Sequence, residues 1–324
     1  MSQLILISHL TSASASIILY NSLSTSAPRT SAFGRLVDKT ISFLPFFIQF
    51  FLGAILSGSL VFYSRSASLS ISWPFLALLA VLIIGNEVFR SRYLSLAFQM
   101  VALFVSYFLY ASFSLPLLLK NISGFAFIAS GIVSLFAFYL ITLVLKKAAY
   151  ERYRASRLLI WFSVIGAYLL FNGLYFFNLI PPLPLSLREV GIYHSITKSE
   201  GVYTLSFEPS AWYKIGKVSS TFHISENHAP VYAFSSVFAP DNLSTNIVHE
   251  WFFFDPSSKS WVSMSKITFP ISGGRELGYR GYTIEPDIIP GKWRLDVETE
   301  AGRLIGRTAF DVVLGAPVLE LGTR

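Results

Sequence analysis

The stretch Asn172-Gly-Leu-Tyr-Phe-Phe-Asn-Leu-Ile-Pro-Pro-Leu-Pro184 divides the chain into two kinds of sequence. Proline lacks the backbone donor and clashes with the preceding turn, so Pro181, Pro182 and Pro184 end an apolar helix here. Tyr175, Phe176 and Phe177 just before them suit an aromatic belt at a membrane interface. Upstream lie long apolar runs with few charges. Downstream, tryptophan, tyrosine and alternating apolar and polar residues read as a water-exposed β domain.

A bilayer core is about 30 Å thick and needs about 20 apolar residues per spanning helix. Working back from the proline break, the runs are Leu158–Ile180, Ile122–Leu145, Tyr93–Ser112, Ile71–Asn86, Ile41–Tyr63 and the serine-interrupted Leu4–Leu23. The expected architecture is a membrane α-helical bundle of about six transmembrane helices in residues 1–180. A linker at 181–191, an extracytoplasmic all-β domain at 192–316 and a tail at 317–324 follow.

Charge supports this division. Residues 1–180 hold 12 Lys/Arg and three acids, a net of +9; residues 181–324 hold 13 and 15, a net of −2. The formal +7 of the whole chain therefore belongs to loops flanking the helices, and no nucleic-acid partner is expected. Three alternate loops carry ten basic residues: Arg29, Arg35 and Lys39; Arg90 and Arg92; Lys146, Lys147, Arg152, Arg154 and Arg157. The other loops carry two, Arg65 and Lys120. Short Lys/Arg-rich loops stay cytoplasmic. The expected location is thus the plasma membrane, multi-pass, with the C-terminal domain outside. The first residues lack a basic n-region and an Ala-x-Ala signal, so a cleaved signal peptide is not expected. The chain has no cysteine, which removes disulfides, thiolate metal sites and cysteine nucleophiles.

Polar residues within the apolar runs mark a candidate path or site: Gln49, Asn86, Glu87, Gln99, Asn172 and Asn178. The bland reading pairs Glu87 with Arg90 or Arg92 and bonds Asn172 to a neighbouring helix. Gly53 and Gly131 are small residues that permit close helix packing.

Beyond the break, strand signals recur at Tyr193–Ile196, Val202–Phe207, Thr221–Ile224, Val231–Phe238, Ile247–Phe254, Trp261–Ile267, Trp293–Val297 and Leu304–Val313. Seven or eight short strands at this spacing suggest an antiparallel, Ig-like sandwich. His249-Glu-Trp251 on the central strand, Gly273-Gly-Arg275, Pro290-Gly-Lys-Trp-Arg-Leu-Asp-Val297 and Gly302-Arg-Leu-Ile-Gly-Arg-Thr-Ala-Phe310 occur in order. Over about Val231–Val313 this pattern resembles the domain-of-unknown-function family 2914. Members of that family often carry helices before the domain. The resemblance implies no activity and no catalytic residues.

His249 and Glu250 are neighbours on a strand and point to opposite faces, so they cannot act on one substrate; a structural histidine is the preferred reading. His194, His223 and His228 lack ligand spacing with a carboxylate, so no metal or other cofactor is implied. Gly273-Gly274 with Arg275 reads as a small anion nest or, preferably, as a turn whose arginine covers Trp251 or Trp293. The best recognition surface is the glycine-rich segment Gly273–Tyr282, with Arg275, Tyr279, Arg280 and Tyr282 as ligand-binding candidates. Trp212-Tyr213 suits a headgroup interface, and Asn242-Leu-Ser244 matches a glycosylation sequon. The sequence thus points to a non-catalytic role, binding or scaffolding at the outer face through the β domain. The partners would be the lipid bilayer and an envelope glycan or protein. The alternatives are a transporter or channel with an accessory domain, and a membrane enzyme acting on envelope lipid or glycan.

Overall fold

The computed structural model describes residues 3–24, 31–66, 69–199, 202–209, 220–225, 229–241, 243–275, 277–315 and 322–323. Trp212-Tyr213, His228, Asn242 and most of the expected tail lie outside them. Two compact units emerge, one of residues Met1–Arg65 and Leu69–Leu183, the other built on Pro184–Arg324.

The first unit is helical: α1 Gln3–Leu23, α2 Ala32–Ser66, α3 Leu69–Val88, α4 Leu96–Leu119, α5 Gly124–Ala148 and α6 Tyr150–Phe176, with a 3₁₀ turn at Arg90–Leu94. Five helices are long and apolar enough to cross a membrane; in α3 the apolar stretch Ser72–Val88 is shorter. The central helix is α4, which buries 14 of its 24 residues, against four of 27 in α6. Around it Phe104, Phe108, Phe138 and Phe171 form the core. A Cβ on Gly131 would lie 2.5 Å from the Tyr168 ring, so this glycine lets α5 approach α6 closely. The expected basic loop after α5 is a single junction residue, Ala149. Lys146 and Lys147 close α5, and Arg152, Arg154 and Arg157 stand in the opening turns of α6.

The second unit is a β-sandwich of β1 Ser186–Tyr193, β2 Ser195–Ser199, β3 Val202–Phe207, β4 Thr221–Ile224, β5 Ala229–Phe238, β6 Ser244–Asp255, β7 Ser260–Ser272, β8 Tyr279–Ile288, β9 Gly291–Thr299, β10 Leu304–Leu314 and β11 Gly322–Thr323. A five-stranded sheet runs β4-β10-β9-β6-β7 and faces a three-stranded sheet β1-β5-β8. All pairings are antiparallel except β4 with β10, which is parallel. The core between the sheets includes Trp251, Leu295, Val297, Val231 and Ala233. A third sheet, β11-β3-β2, covers the other face of β1-β5-β8 through Tyr193, Leu205, Phe207 and Phe234. Strand β5 is therefore covered on both faces, which explains its nearly continuous apolar run Val231–Phe238.

Two expectations are corrected. Most of the expected linker 181–191 is strand: Ser186–Gly191 pairs with β5 from Phe238 to Phe234. The second half of the expected recognition loop is also strand, since Tyr279–Tyr282 opens β8 and pairs with Val237–Phe234. Both segments carry glycine within a short alternation, and only long-range pairing resolves such segments.

Candidate functional site

In the helical unit, four of the six polar candidates join one network. Asn21 of α1 donates to Gln99 Oε1 of α4 at 2.6 Å, and Gln99 donates to the Tyr93 carbonyl. The Tyr93 hydroxyl donates to Asn86 Oδ1 of α3. Asn86 and Gln49 of α2 exchange side-chain to backbone bonds of 3.4 and 3.0 Å, and Gln49 also reaches Glu87 Oε2 at 3.3 Å. Glu87 thus meets Gln49 of α2, and the side chain of Arg90, one of its two expected partners, is not among those described. Asn172 bonds back to the Tyr168 carbonyl of its own helix at 2.8 Å and, among the described residues, to no neighbouring helix. Asn21 and Tyr93 were missed in sequence because each sits singly at an apolar helix end. The network ties α1, α2, α3 and α4 together. Beside it, between α2, α3 and α4, lies a cavity of about 260 Å³. A second cavity of about 260 Å³ lies between α1, α4 and α5.

In the sandwich, the four candidate residues separate into two places. Arg275 lies over the ring of Tyr279 at 4.8 Å, not over Trp251 or Trp293. Arg280 and Tyr282 point to the opposite face of β8. There Tyr282, exposed, lies 6.4 Å from the Tyr203 ring of β3, and Tyr203 donates to the Arg280 carbonyl at 3.5 Å. Lys198 of β2 stands 5.4 Å over Tyr203. Among the described residues strand β8 ends its sheet, with one edge unpaired. The resulting surface presents two tyrosine faces and two cations. The sequence signal for Tyr203 and Lys198 was only their place in a neighbouring hairpin.

Gly273 and Gly274 are structural. Their N–H groups donate to the carbonyls of Leu243 and Ala239. A Cβ on Gly273 would fall 1.8 Å from the Pro240 carbonyl oxygen, and Gly274 has φ +90°. These donors are committed to the chain, so they form no anion nest.

The histidines resolve by geometry. His249 is fully buried, bonded through Nε2 to Ser235 Oγ at 2.7 Å and through Nδ1 to Thr283 Oγ1 at 2.8 Å. Burial pushes its imidazole down to about 3, so it is neutral and pins the two sheets together. His194 and His223, distant in sequence, share one carboxylate: His194 Nε2 meets Glu208 Oε1 at 2.9 Å and His223 Nδ1 meets Oε2 at 2.8 Å. The His223 backbone N–H also donates to Oε1 at 2.7 Å. Sequence spacing hid this trio because the three residues come from separate strands or their ends. Among the described residues, no group of three His, Cys, Asp or Glu side chains is disposed to hold a metal ion.

Residues 244–312 match the family described as Protein of unknown function (DUF2914). No curated protein matches the chain. Among solved structures, an immunoglobulin-like protein from Pseudomonas aeruginosa is similar at 11% identity, over 38% of this chain and 97% of that one, with a TM-score of 0.22. The alkylpurine DNA glycosylase AlkC of Pseudomonas fluorescens, bound to DNA containing an abasic site analog, aligns at 8% identity over 96% and 98%, with a TM-score of 0.25. At these scores neither likeness bears on function, and the sandwich rests on its own strand pairing.

The DUF2914 segment spans β6, β7, β8, β9 and most of β10. It supplies four strands of the five-stranded sheet but only β8 of the facing sheet. Its His249 pin therefore needs Ser235 from β5, outside the segment. On its outer face a charged row crosses four strands: Lys266, Glu250, Asp296 and Arg307. Asp296 is 2% exposed there, held by Arg307 and, at 3.3 Å, by Arg294. The Arg294 guanidinium lies between the rings of Phe252 and Trp261, at 4.2 and 4.8 Å.

Proposed function

We propose that this chain is a multi-pass plasma-membrane protein. Its C-terminal sandwich would lie outside the cytoplasm and act without catalysis, binding or scaffolding an envelope glycan or partner protein. The observation that carries the membrane reading is the outward face of the helical unit. Leu158, Phe162, Ile165, Leu169 and Leu170 of α6 are exposed, as are Phe46, Phe47 and Phe50 of α2. Such a surface is far larger than a water-soluble protein tolerates. The ten-to-two partition of basic residues supports an outside sandwich.

The binding reading rests on Tyr282, Tyr203, Arg280 and Lys198. Flat aromatic faces beside cations suit a sugar ring or an extended peptide, and the free edge of β8 offers backbone hydrogen bonds to a strand. Reporter fusions after Gly191 and after Arg154 should report opposite compartments, with Gly191 outside; a cytoplasmic Gly191 fusion would reverse the topology. The full chain in detergent should bind envelope glycan fragments or capture a membrane-extract protein. Arg280→Ala/Tyr282→Ala should lose that binding and keep its melting temperature. Unchanged binding in this variant would remove the assignment of the surface.

A further inference from the structure

We propose that the cavity between α2, α3 and α4 is a binding site for an amphipathic lipid: a hydrocarbon chain with a hydrogen-bonding head. The proposal rests on the membrane reading of the helical unit, and its test separates the two. The walls are Leu56 of α2, Val81, Leu82 and Gly85 of α3, and Val101 and Val105 of α4, all without polar side chains. Asn86 and Tyr93 also line it, each more than nine-tenths buried. The chain order places both polar residues toward one end. Antiparallel α3 and α4 bring Asn86, Phe89, Tyr93 and Phe98 together there, with Val81 and Val105 at the other end. From Phe98 to Val105 the helix rises about 10 Å at 1.5 Å per residue, so the cavity is elongated along the helices.

An elongated apolar space with a few polar groups at one end is the form of a ligand site. In hydrocarbon the natural occupant is an acyl or isoprenoid chain. The head would meet the Asn86 amide and the Tyr93 hydroxyl, which keep spare capacity. The amide has a second N–H and a second lone pair, and the hydroxyl oxygen still accepts. The polar network fixes both groups, so the head's partners are held in place before any ligand arrives. Gly85 contributes the width: a Cβ there meets nothing nearer than the Phe89 ring at 3.5 Å. The space is therefore a consequence of a small residue, and a larger side chain would enter it.

The test uses the full chain in detergent and a photoactivatable C16 fatty acid as probe. Cross-links should concentrate in peptides from Val81 to Val105, and unlabelled fatty acid should compete saturably. Ala102 of α4 also lines the cavity, so Ala102→Phe, whose ring enters it, should reduce this labelling to background, and Gly85→Leu should do the same. Ala137→Phe, which fills the other cavity between α1, α4 and α5, should leave it unchanged. Labelling spread evenly over the outward helix faces, or not competed by unlabelled fatty acid, would overturn the proposal even where a variant fails to fold. Recovery of the protein in the soluble fraction after alkaline extraction of membranes would instead defeat the membrane reading itself.

Discussion

The Arg307 guanidinium holds the Asp296 carboxylate by two parallel bonds of 2.6 Å, Nε to Oδ1 and Nη2 to Oδ2, across β9 and β10. Asp296 is buried on what would be the open face of the sheet, because Arg307 and Arg294 close over it. Removing one partner of a buried pair leaves a charge stranded, which costs about 3–5 kcal/mol. Arg294 remains nearby, so Arg307→Ala should fall at the low end, about 3 kcal/mol. Thermal melting of the full chain in detergent checks this; a shift no larger than that of an exposed surface substitution would show the pair to be idle. By the same geometry Arg294→Ala should also be costly. A free-standing arginine on an alternating strand would have been neutral, but this one is stacked between two rings.

His249 gives the sandwich an acid-side slope. Its imidazole is held near 3 against an ordinary value of 6.5. Above 6.5 both folded and unfolded states carry it neutral, and its contribution is complete. As pH falls below 6.5 the unfolded state takes up a proton that the folded state refuses, so stability declines from there toward pH 3. Melting temperature should fall over that window, and His249→Gln should flatten the slope while lowering the plateau near pH 7.

Glu298 acts in the opposite sense. Burial, then the neighbouring Asp296 and Glu250, raise its carboxyl above the ordinary value. The ionised form is thus disfavoured in the fold, and the penalty is present at neutral pH and relieved as pH falls through the raised value. Glu298→Gln should therefore raise the melting temperature at pH 7, with the gain shrinking as pH approaches 4. An equal effect at both pH values would locate the change in packing instead of ionisation.

Gly273→Ala should destabilise by about 3 kcal/mol, the upper range for overpacking, because the new methyl meets the rigid Pro240 backbone and not a side chain that can turn away. Gly302→Ala is the comparison. Nothing lies near its Cβ position, so only its positive φ of +73° opposes the substitution, and a smaller loss is expected. If both variants melt alike, close approach at Gly273 is not what the position requires.

How much was legible in the sequence follows from the range of the interactions. Helices declare themselves locally, so all six apolar runs were found, with only their ends displaced. The largely apolar run Ile247–Phe254 of β6 and the alternating β9 were equally plain. Strands β1 and β8 were not, since their short glycine-bearing alternations become strands only by pairing with β5 from far along the chain. For the site, the sequence named Gln49, Asn86, Glu87 and Gln99 by polarity alone, without indicating that they meet. It named Arg275, Tyr279, Arg280 and Tyr282 as one patch, but strand alternation sends Tyr279 and Tyr282 to opposite faces.

Composition, periodicity and the prolines at 181, 182 and 184 by themselves determined an apolar helical half followed by a β half, because burial of apolar surface and backbone sterics act over a few residues. The tertiary structure alone decided that His194 and His223 share Glu208, that Arg294 and Arg307 bury Asp296, and that Asn21 closes a network with Gln99. Those relations depend on which strands and helices become neighbours, and that is set by the packing of the whole unit.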